Sequence, residues 1–422
     1  MAIVPTIAVL GTLDTKGVEV RFLADQIRAR GCDTLVIDLG ILGPPVFKPQ
    51  VTRQTVAEAA GRRIDSLVAA GDRGRAVDCM TRGVCKVVPD LHARNLIHGV
   101  IGIGGSAGST MATAAMRALP MGVPKVMIST VAGGDVSAFV GPKDITMVPS
   151  VVDISGLNRI SRQVIVRAAA AVAAMARAEV PQADDKPLIA ASMFGNTTQC
   201  VEAARARFEE SGYEVLVFHA TGSGGQTMED LIVSGYVSAV LDVTTTELAD
   251  ELVGGVMSAG PERLGAAAWA GVPAAVAPGC LDMVNFWAPD TVPPEHTGRR
   301  FYRHNPNVTL MRTTPDENRE LGLRMARRLN ASKGPVAVYL PLRGISVISA
   351  PGQPFHWPEA DRALFAAIRD TLRPEIPVFE LDANINDPAF AAAVAEGLLQ
   401  MVGGTDSGGR AGHARPESGV TP

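Results

Sequence analysis

The sequence predicts an α/β protein built as two doubly wound, Rossmann-like parallel-sheet lobes with a cleft between them. Three observations carry this expectation. Near-continuous apolar, β-branched runs alternate with helical patterns, which is how strands covered on both faces read. Gly accounts for 43 of the 422 residues and gathers where those runs end, in the tight loops that join strands to helices. The length exceeds one comfortable hydrophobic core and calls for two or three.

The elements follow in order. The first lobe, residues 1–180, has strands at Thr6–Leu10, Thr34–Asp38, Val100–Ile103, Lys125–Ser129 and Thr146–Ser150. Helical patterns lie near Gly17–Arg30, Arg53–Ala70, Ala76–Gly83, Ser109–Ala118 and Leu157–Ala178. The segment Glu179–Pro187 (EVPQADDKP) breaks the hydrophobic pattern with two prolines and a charge cluster, and reads as a linker. The second lobe, residues 187–402, has strands at Leu188–Ser192, Val215–His219, Val237–Val243, Ala274–Ala277, Val308–Met311, Val336–Pro341 and Val378–Leu381. Its helices include Pro315–Asn330, Glu359–Arg373 and Pro388–Met401. Residues 403–422 are rich in Gly, Ser and Arg without apolar periodicity, so a disordered tail is expected. An internal repeat supports two lobes: TIAVLGTLDTKG…FLADQIRARGCDTLVIDLG pairs with LIAASMFGNTTQC…ARARFEESGYEVLVFHATG, with Gly31 and Gly212 before each second strand. Part of that likeness is common to any two βαβ units.

Composition narrows the function. Aromatic residues are 5% of the chain, too few to build stacking platforms for single-stranded nucleic acid. A net charge of −4 supplies no global basic field for nucleic acid or an anionic membrane. The five cysteines (Cys32, Cys79, Cys85, Cys200, Cys280) are scattered and form no C-x-x-C pair, which fits a reducing cytosol. The opening residues read as a strand rather than a secretory signal. The Ala-rich stretch from Val164 to Ala176 is interrupted by Arg167 and is too short to span a bilayer. A cytoplasmic protein with no nucleic-acid or membrane partner is expected.

The chemistry gathers in the glycine loops of the first lobe. Strand ends carry Gly11-Thr12-Leu13-Asp14-Thr15-Lys16-Gly17, Asp38-Leu39-Gly40, Gly104-Gly105-Ser106-Ala107-Gly108-Ser109-Thr110 and Thr130-Val131-Ala132-Gly133-Gly134-Asp135. In a parallel sheet these share one edge. Gly104, Gly105 and Gly108 would let backbone approach a phosphate, with Ser106, Ser109 and Thr110 donating hydroxyls at a helix N-terminus. The competing explanation is tight strand–helix packing. Lys16 beside Thr12 and Thr15 offers a second phosphate grip, or Thr15 is only a cap. Asp14 and Asp135 could hold a hydrated Mg²⁺, or serve as turn residues. Asp38 sits where a carboxylate often holds a ribose in dinucleotide folds, although the spacing is long. No G-x-x-x-x-G-K-[ST] occurs, and G-x-G-x-x-G is met only imperfectly. These loops favour a polyphosphate nucleotide, ATP above NAD.

The motifs TIAVLGTLDTKG, VIDLG, IGIGGSAGST, STVAGGDV, DISGLNRISR, FHATGSGGQTMED, LDVTTTELADELVGG, AGPERL, PGCLDMVNF and LMRTT resemble the tobamovirus-resistance-protein-like ATP-binding family over about residues 3–400. The resemblance implies two α/β lobes with ATP on the first, contacted by the Gly11–Lys16, Gly104–Thr110 and Thr130–Gly133 loops. It also implies a homodimer. No counterpart of the plant member's additional barrel domain is expected.

The second lobe reads as a site for a small anionic ligand. His219, Asp242, Glu247 and Arg312 come from different strand ends, so a parallel sheet would bring them together. Arg312 would pair an anion, and His219 or Glu247 would move a proton. Thr244–Glu247 also fits a capping box. Cys280 is the best thiol for a nucleophile, though a free Cys more often packs. The leading reading is an ATP-binding protein with MgATP on the first lobe and a small anionic ligand or substrate on the second; if it is an enzyme, it would transfer a phosphoryl or adenylyl group as a transferase, ligase or hydrolase. The alternatives are a non-catalytic nucleotide-dependent regulator and an NAD-linked oxidoreductase.

Overall fold

A computed structural model of the chain describes residues 4–179, 181 and 185–406. It divides into two compact units between residues 182 and 183, inside the expected linker, part of which lies outside the described residues.

In the first unit, β1 (Thr6–Gly11), β2 (Asp33–Asp38), β3 (Gly99–Gly104), β4 (Lys125–Ser129) and β5 (Thr146–Pro149) form one parallel sheet in the order β2-β1-β3-β4-β5. The alternation of side chains explains the unbroken apolar runs. Ile7 and Val9 pack against the helices Gly17–Arg28 and Arg159–Met175 through Leu23, Ile27, Ile165 and Val172. Ala8 and Leu10 face the other way, onto Met80 and Val84 of the helix Arg73–Ala93 and Met111 and Ala115 of Ser106–Arg117. Each large apolar side chain buried this way contributes about 1.5–3 kcal/mol. Gly31 ends the first helix at φ +74°, and Gly212 plays the same part in the second unit at φ +89°, a conformation that disfavours any side chain. Two expected helices differ. Arg53–Ala70 is two helices, Arg53–Ala59 and Ile64–Ala70, parted by a turn at Gly61 with φ +75°. The expected Ala76–Gly83 is the middle of Arg73–Ala93, started by Asp72, whose carboxylate accepts from Arg75 N.

In the second unit, β6 (Leu188–Met193), β7 (Glu214–His219), β8 (Ala239–Thr244) and β9 (Ala274–Gly279) belong to a six-stranded parallel sheet. The chain then leaves that sheet to form β10 (Met283–Phe286), β11 (Phe301–Asn305) and β12 (Val308–Arg312), a separate antiparallel sheet in the order β10-β12-β11. It returns as β13 (Val336–Pro341) and β14 (Val378–Leu381), completing the order β14-β13-β9-β8-β6-β7. The run Val308–Met311 is therefore a strand, but not of the parallel sheet. The helix Pro315–Asn330 begins on a capping box: Glu317 N donates to Thr314 Oγ1 at 3.2 Å, and Thr314 N donates to Glu317 Oε2 at 2.7 Å. The last helix, Pro388–Asp406, continues past Met401 into the expected tail. Residues 407–422 of that tail lie outside the described residues.

Among the described residues, no helix is long and apolar enough to cross a membrane.

Candidate functional site

Ligands of doubly wound sheets bind beyond the carboxyl ends of the strands, where the strand order reverses. In the first unit that point lies between β1 and β3. The loops after these two strands border a pocket of about 220 Å³. Thr12, Asp14, Thr15 and Lys16 form one wall, and Gly105, Ser106, Ala107 and Gly108 form the other. Ile41, Leu42, Arg73, Val77 and Met111 complete it.

The two glycines at the start of the helix Ser106–Arg117 have different duties. A Cβ on Gly104 would stand 2.9 Å from Gly108 Cα, so Gly104 lets the helix begin close against its own strand. A Cβ on Gly105 would meet only Thr130 Oγ1, at 3.7 Å. Gly105 keeps the pocket wall free of a side chain. The first N–H groups of this helix have no intrahelical acceptor, and its N-terminus carries partial positive charge. That wall suits an anion.

The opposite wall is held by carboxylates. Asp38 is buried, and its Oδ1 accepts from Leu13 N at 3.0 Å and Gly40 N at 2.8 Å. Burial pushes its carboxyl up from the ordinary range, against those two hydrogen bonds. Asp14 Oδ2 accepts from Leu42 N at 2.7 Å and Gly43 N at 3.2 Å, while its Oδ1 is buried without a partner. Thr12 and Thr15 share a 2.8 Å hydrogen bond between their hydroxyls. Lys16 borders the pocket, but its ammonium donates to the Ile154 carbonyl. Arg73, which the sequence reading missed, is exposed, borders the pocket and makes no hydrogen bond or ion pair among the described residues. It sits on a neighbouring helix with no motif around it, so no local signal marked it.

Several expected contacts lie elsewhere. Asp38 holds the loop through Oδ1 while its Oδ2 is buried without a partner, and the residue does not border the pocket, so it is not placed to hold a ribose there. A Cβ on Gly11 would stand 2.5 Å from Val20 Cγ2, so Gly11 serves helix packing. Ser109 is buried with its hydroxyl 2.6 Å from that of Ser129. Thr110 Oγ1 donates back to the Ser106 carbonyl. Neither lines the pocket, and nor do Thr130, Ala132 or Gly133. Asp135 is exposed and its Oδ1 accepts from Ser137 N, a contact that lowers its pKa. It is a turn residue. No group of three or more His, Cys, Asp or Glu side chains that could hold a metal occurs among the described residues. Asp14, with one unpartnered oxygen, is the residue here that fits a Mg²⁺ sharing its coordination with phosphates.

In the second unit a buried arginine ties the end of β8 to the helices that follow β7 and β8. Arg263 is buried. Its Nε donates to Glu247 Oε2 at 2.6 Å, its Nη2 to Asp242 Oδ1 at 2.7 Å, and its Nη1 to Glu229 Oε1 at 3.2 Å. Glu247 Oε1 in turn accepts from Gly222 N at 2.7 Å and Gly225 N at 3.0 Å. The helix Ser223–Val233 thus starts on an internal carboxylate rather than an open pocket. Burial pushes the pKa of Glu247 and Glu229 up, while Arg263 pulls both down. Asp242 and Glu247 are therefore together, as expected, but bound to Arg263, a residue to which the sequence reading gave no role. His219 is exposed at the end of edge strand β7 and takes no part in the cluster.

Arg312 lies on β12, with Nε donating to the Phe355 carbonyl at 2.8 Å and Nη2 to Asp361 at 2.6 Å. Its guanidinium is spent on the protein, and the four-residue convergence does not form. The Thr244–Glu247 capping box does not form either: Thr244 Oγ1 lies 2.8 Å from Thr197 Oγ1, and the helix starts at Glu247. Cys280 is buried in an apolar cluster that raises its thiol pKa, the opposite of nucleophile activation.

Two parallel-sheet units, one with a glycine-walled pocket at its switch point and one with a buried arginine–carboxylate cluster beside β8, define a two-domain α/β protein. The chain belongs to the uncharacterised protein family UPF0261, whose N-terminal domain matches residues 5–181 and whose C-terminal domain matches residues 186–402. A UPF0261 protein of Clostridium tetani is 48% identical over 94% of this chain and 98% of its own length. One from Mesorhizobium japonicum is 46% identical over 92% of this chain and 97% of its own. The tomato ToMV susceptible protein tm-1(GCR26) is 36% identical over 94% of this chain, which spans 56% of that protein.

Proposed function

We propose that the protein is an ATP-binding protein whose first unit takes the nucleotide phosphates in the pocket between β1 and β3. The observation that supports this is the wall Gly105–Gly108: free of side chains, at a helix N-terminus, at the switch point. Arg73 supplies an uncommitted cation for the outer phosphates. Asp14 Oδ1 would join a Mg²⁺ carried in with them, and that ion would neutralise phosphate charge. The cytosol remains the proposed compartment, and a homodimer the proposed assembly.

Between a transferase and a nucleotide-dependent regulator, the burial of Asp242 and Glu247 on Arg263 and of Arg312 on Asp361 favours the regulator, because it leaves neither carboxylate free to move a proton nor Arg312 free to pair an anion, and the exposed His219 stands apart from them. In that reading ATP acts by biasing the protein's conformations. The test is a thermal-shift series with MgATP, AMP and NAD on the purified full chain. ATP is expected to raise the melting temperature most. A larger shift with NAD would replace this reading with an oxidoreductase. Release of ADP or AMP stimulated by added small organic acids would favour the transferase.

A further inference from the structure

The antiparallel sheet of the second unit has two unlike faces. Strand pairing sets Leu310 beside Tyr302, and both pack into the cluster of Cys280, Ile348 and Phe355. The alternate residues, Phe286, Thr309 and Arg303, are paired with one another across the strands and occupy the opposite face. Over that face runs the segment 289–297, with two short 3₁₀ turns. Between segment and sheet lies a pocket of about 450 Å³, in the range of small-molecule sites.

Its lining is apolar with four polar exceptions, His296, Thr297, Arg303 and Thr309, and the Thr297 hydroxyl is spent on the Pro294 carbonyl. Prolines 289, 293 and 294, Val292 and Phe301 supply the walls. Thr309 is 4% exposed, and its Oγ1 is buried without a partner. Leaving such a hydroxyl unsatisfied is costly, so a ligand group that bonds it gains from doing so. The imidazole of His296, whose ring centroid lies 5.4 Å from that of Phe286, makes no hydrogen bond among the described residues. Arg303, directly across the ladder from Thr309, is exposed and makes none either. The neighbouring arginines are spent: Arg299 on Glu317, and Arg300 over the Trp357 ring.

We infer that this pocket binds a small organic acid. The apolar body lies between the proline walls and Phe301, the carboxylate pairs with Arg303, and a hydrogen bond from the ligand or to it satisfies Thr309, with His296 as the third polar contact. One arginine and a mostly apolar lining suit a monoanion with a hydrocarbon part better than a phosphate dianion, which calls for more donors. The site is independent of the nucleotide pocket, and its loss would leave that reading standing.

The test compares hexanoate, benzoate and cinnamate with hexanamide, benzamide and cinnamamide on the full chain, by saturation-transfer NMR and calorimetry. The acids are expected to bind at least about tenfold more tightly than their amides, the ratio a charge-assisted contact gives. Arg303→Gln, at an exposed and unpaired position, is expected to abolish that preference, and Thr309→Val to weaken the acids several-fold. No acid binding at millimolar concentration, equal binding of acids and amides, or an acid preference that survives Arg303→Gln would each overturn the proposal. The acid–amide comparison needs no variant, so it stands even if a substitution disturbs folding.

Discussion

Two cations border the pocket between β1 and β3, the proposed nucleotide site, and they are not equivalent. The Lys16 ammonium is held by the Ile154 carbonyl, whereas Arg73 has no partner among the described residues. We expect Arg73→Ala to weaken ATP about tenfold more than AMP, because a free guanidinium is placed for the outer phosphates. Lys16→Ala should act first on the segment carrying Ile154 and so affect both nucleotides alike. Calorimetric titration of both variants checks this; equal losses for ATP and AMP in Arg73→Ala would take Arg73 off the outer phosphates. Single residues also set the pH response. Burial raises Asp250 to about 7 and Asp282 to about 6, against hydrogen bonds from Asn285 and the pull of Arg312 respectively. A carboxyl with a raised pKa binds more protons folded than unfolded, so its contribution is full below the unfolded value near ~4 and is lost as pH rises through the folded one. Stability should therefore fall between about pH 4 and pH 7 on account of these two groups. Asp250→Asn should flatten that slope in urea titrations at stepped pH, and an unchanged slope would mean that Asp250 is not its source.

At the scale of elements, the glycine loop and the buried arginine divide what can be changed from what cannot. Gly104→Ala puts a methyl against Gly108 backbone and should destabilise the first unit, while Gly105→Ala makes only an ordinary contact with Thr130 Oγ1 at 3.7 Å and should leave the melting temperature nearly unchanged. Equal effects would mean that the two glycines do not divide these roles. In the second unit, Arg263→Leu would leave Asp242, Glu247 and Glu229 buried without their shared counter-charge. Breaking such a group costs about 3–5 kcal/mol, readable as a drop in urea midpoint; a loss below about 1 kcal/mol would show that the carboxylates are held mainly by backbone N–H groups. The same elements show what the sequence reveals. Parallel strands were legible because both faces are buried, as with Ile7 and Val9 on one side and Ala8 and Leu10 on the other. Strands β10 and β11 were not: one is four residues long with a buried Asn285, and the other is the mostly exposed edge FYRHN. Neither makes an apolar run. Arg263 was hidden for a different reason. Its partners come from three separate places in the chain, and pairing across such distances leaves no local pattern.

For the whole molecule, the loops after β1 and β3, which border one pocket, could be picked out because glycines, hydroxyls and a helix start are written contiguously. Which of their residues face the pocket was not legible. Ser109 and Ser106 look alike in sequence, yet the helix turns one into the interior and leaves the other on the wall. The same limit explains Asp242 and Glu247, whose proximity follows from the sheet but whose partner does not. Every residue bordering the pocket falls between Thr12 and Met111, within the first compact unit. The central claim rests on the Gly105 wall, and one measurement meets it directly: calorimetric titration of MgATP into the full chain and into Gly105→Val. A Cβ there meets nothing closer than 3.7 Å, so the variant should fold while its side chain fills the phosphate position. We expect saturable ATP binding by the natural chain and a loss of about a hundredfold or more in the folded variant, as for removal of a charge-assisted anion site. Equal ATP affinity in the two folded proteins would contradict the account and place the nucleotide elsewhere.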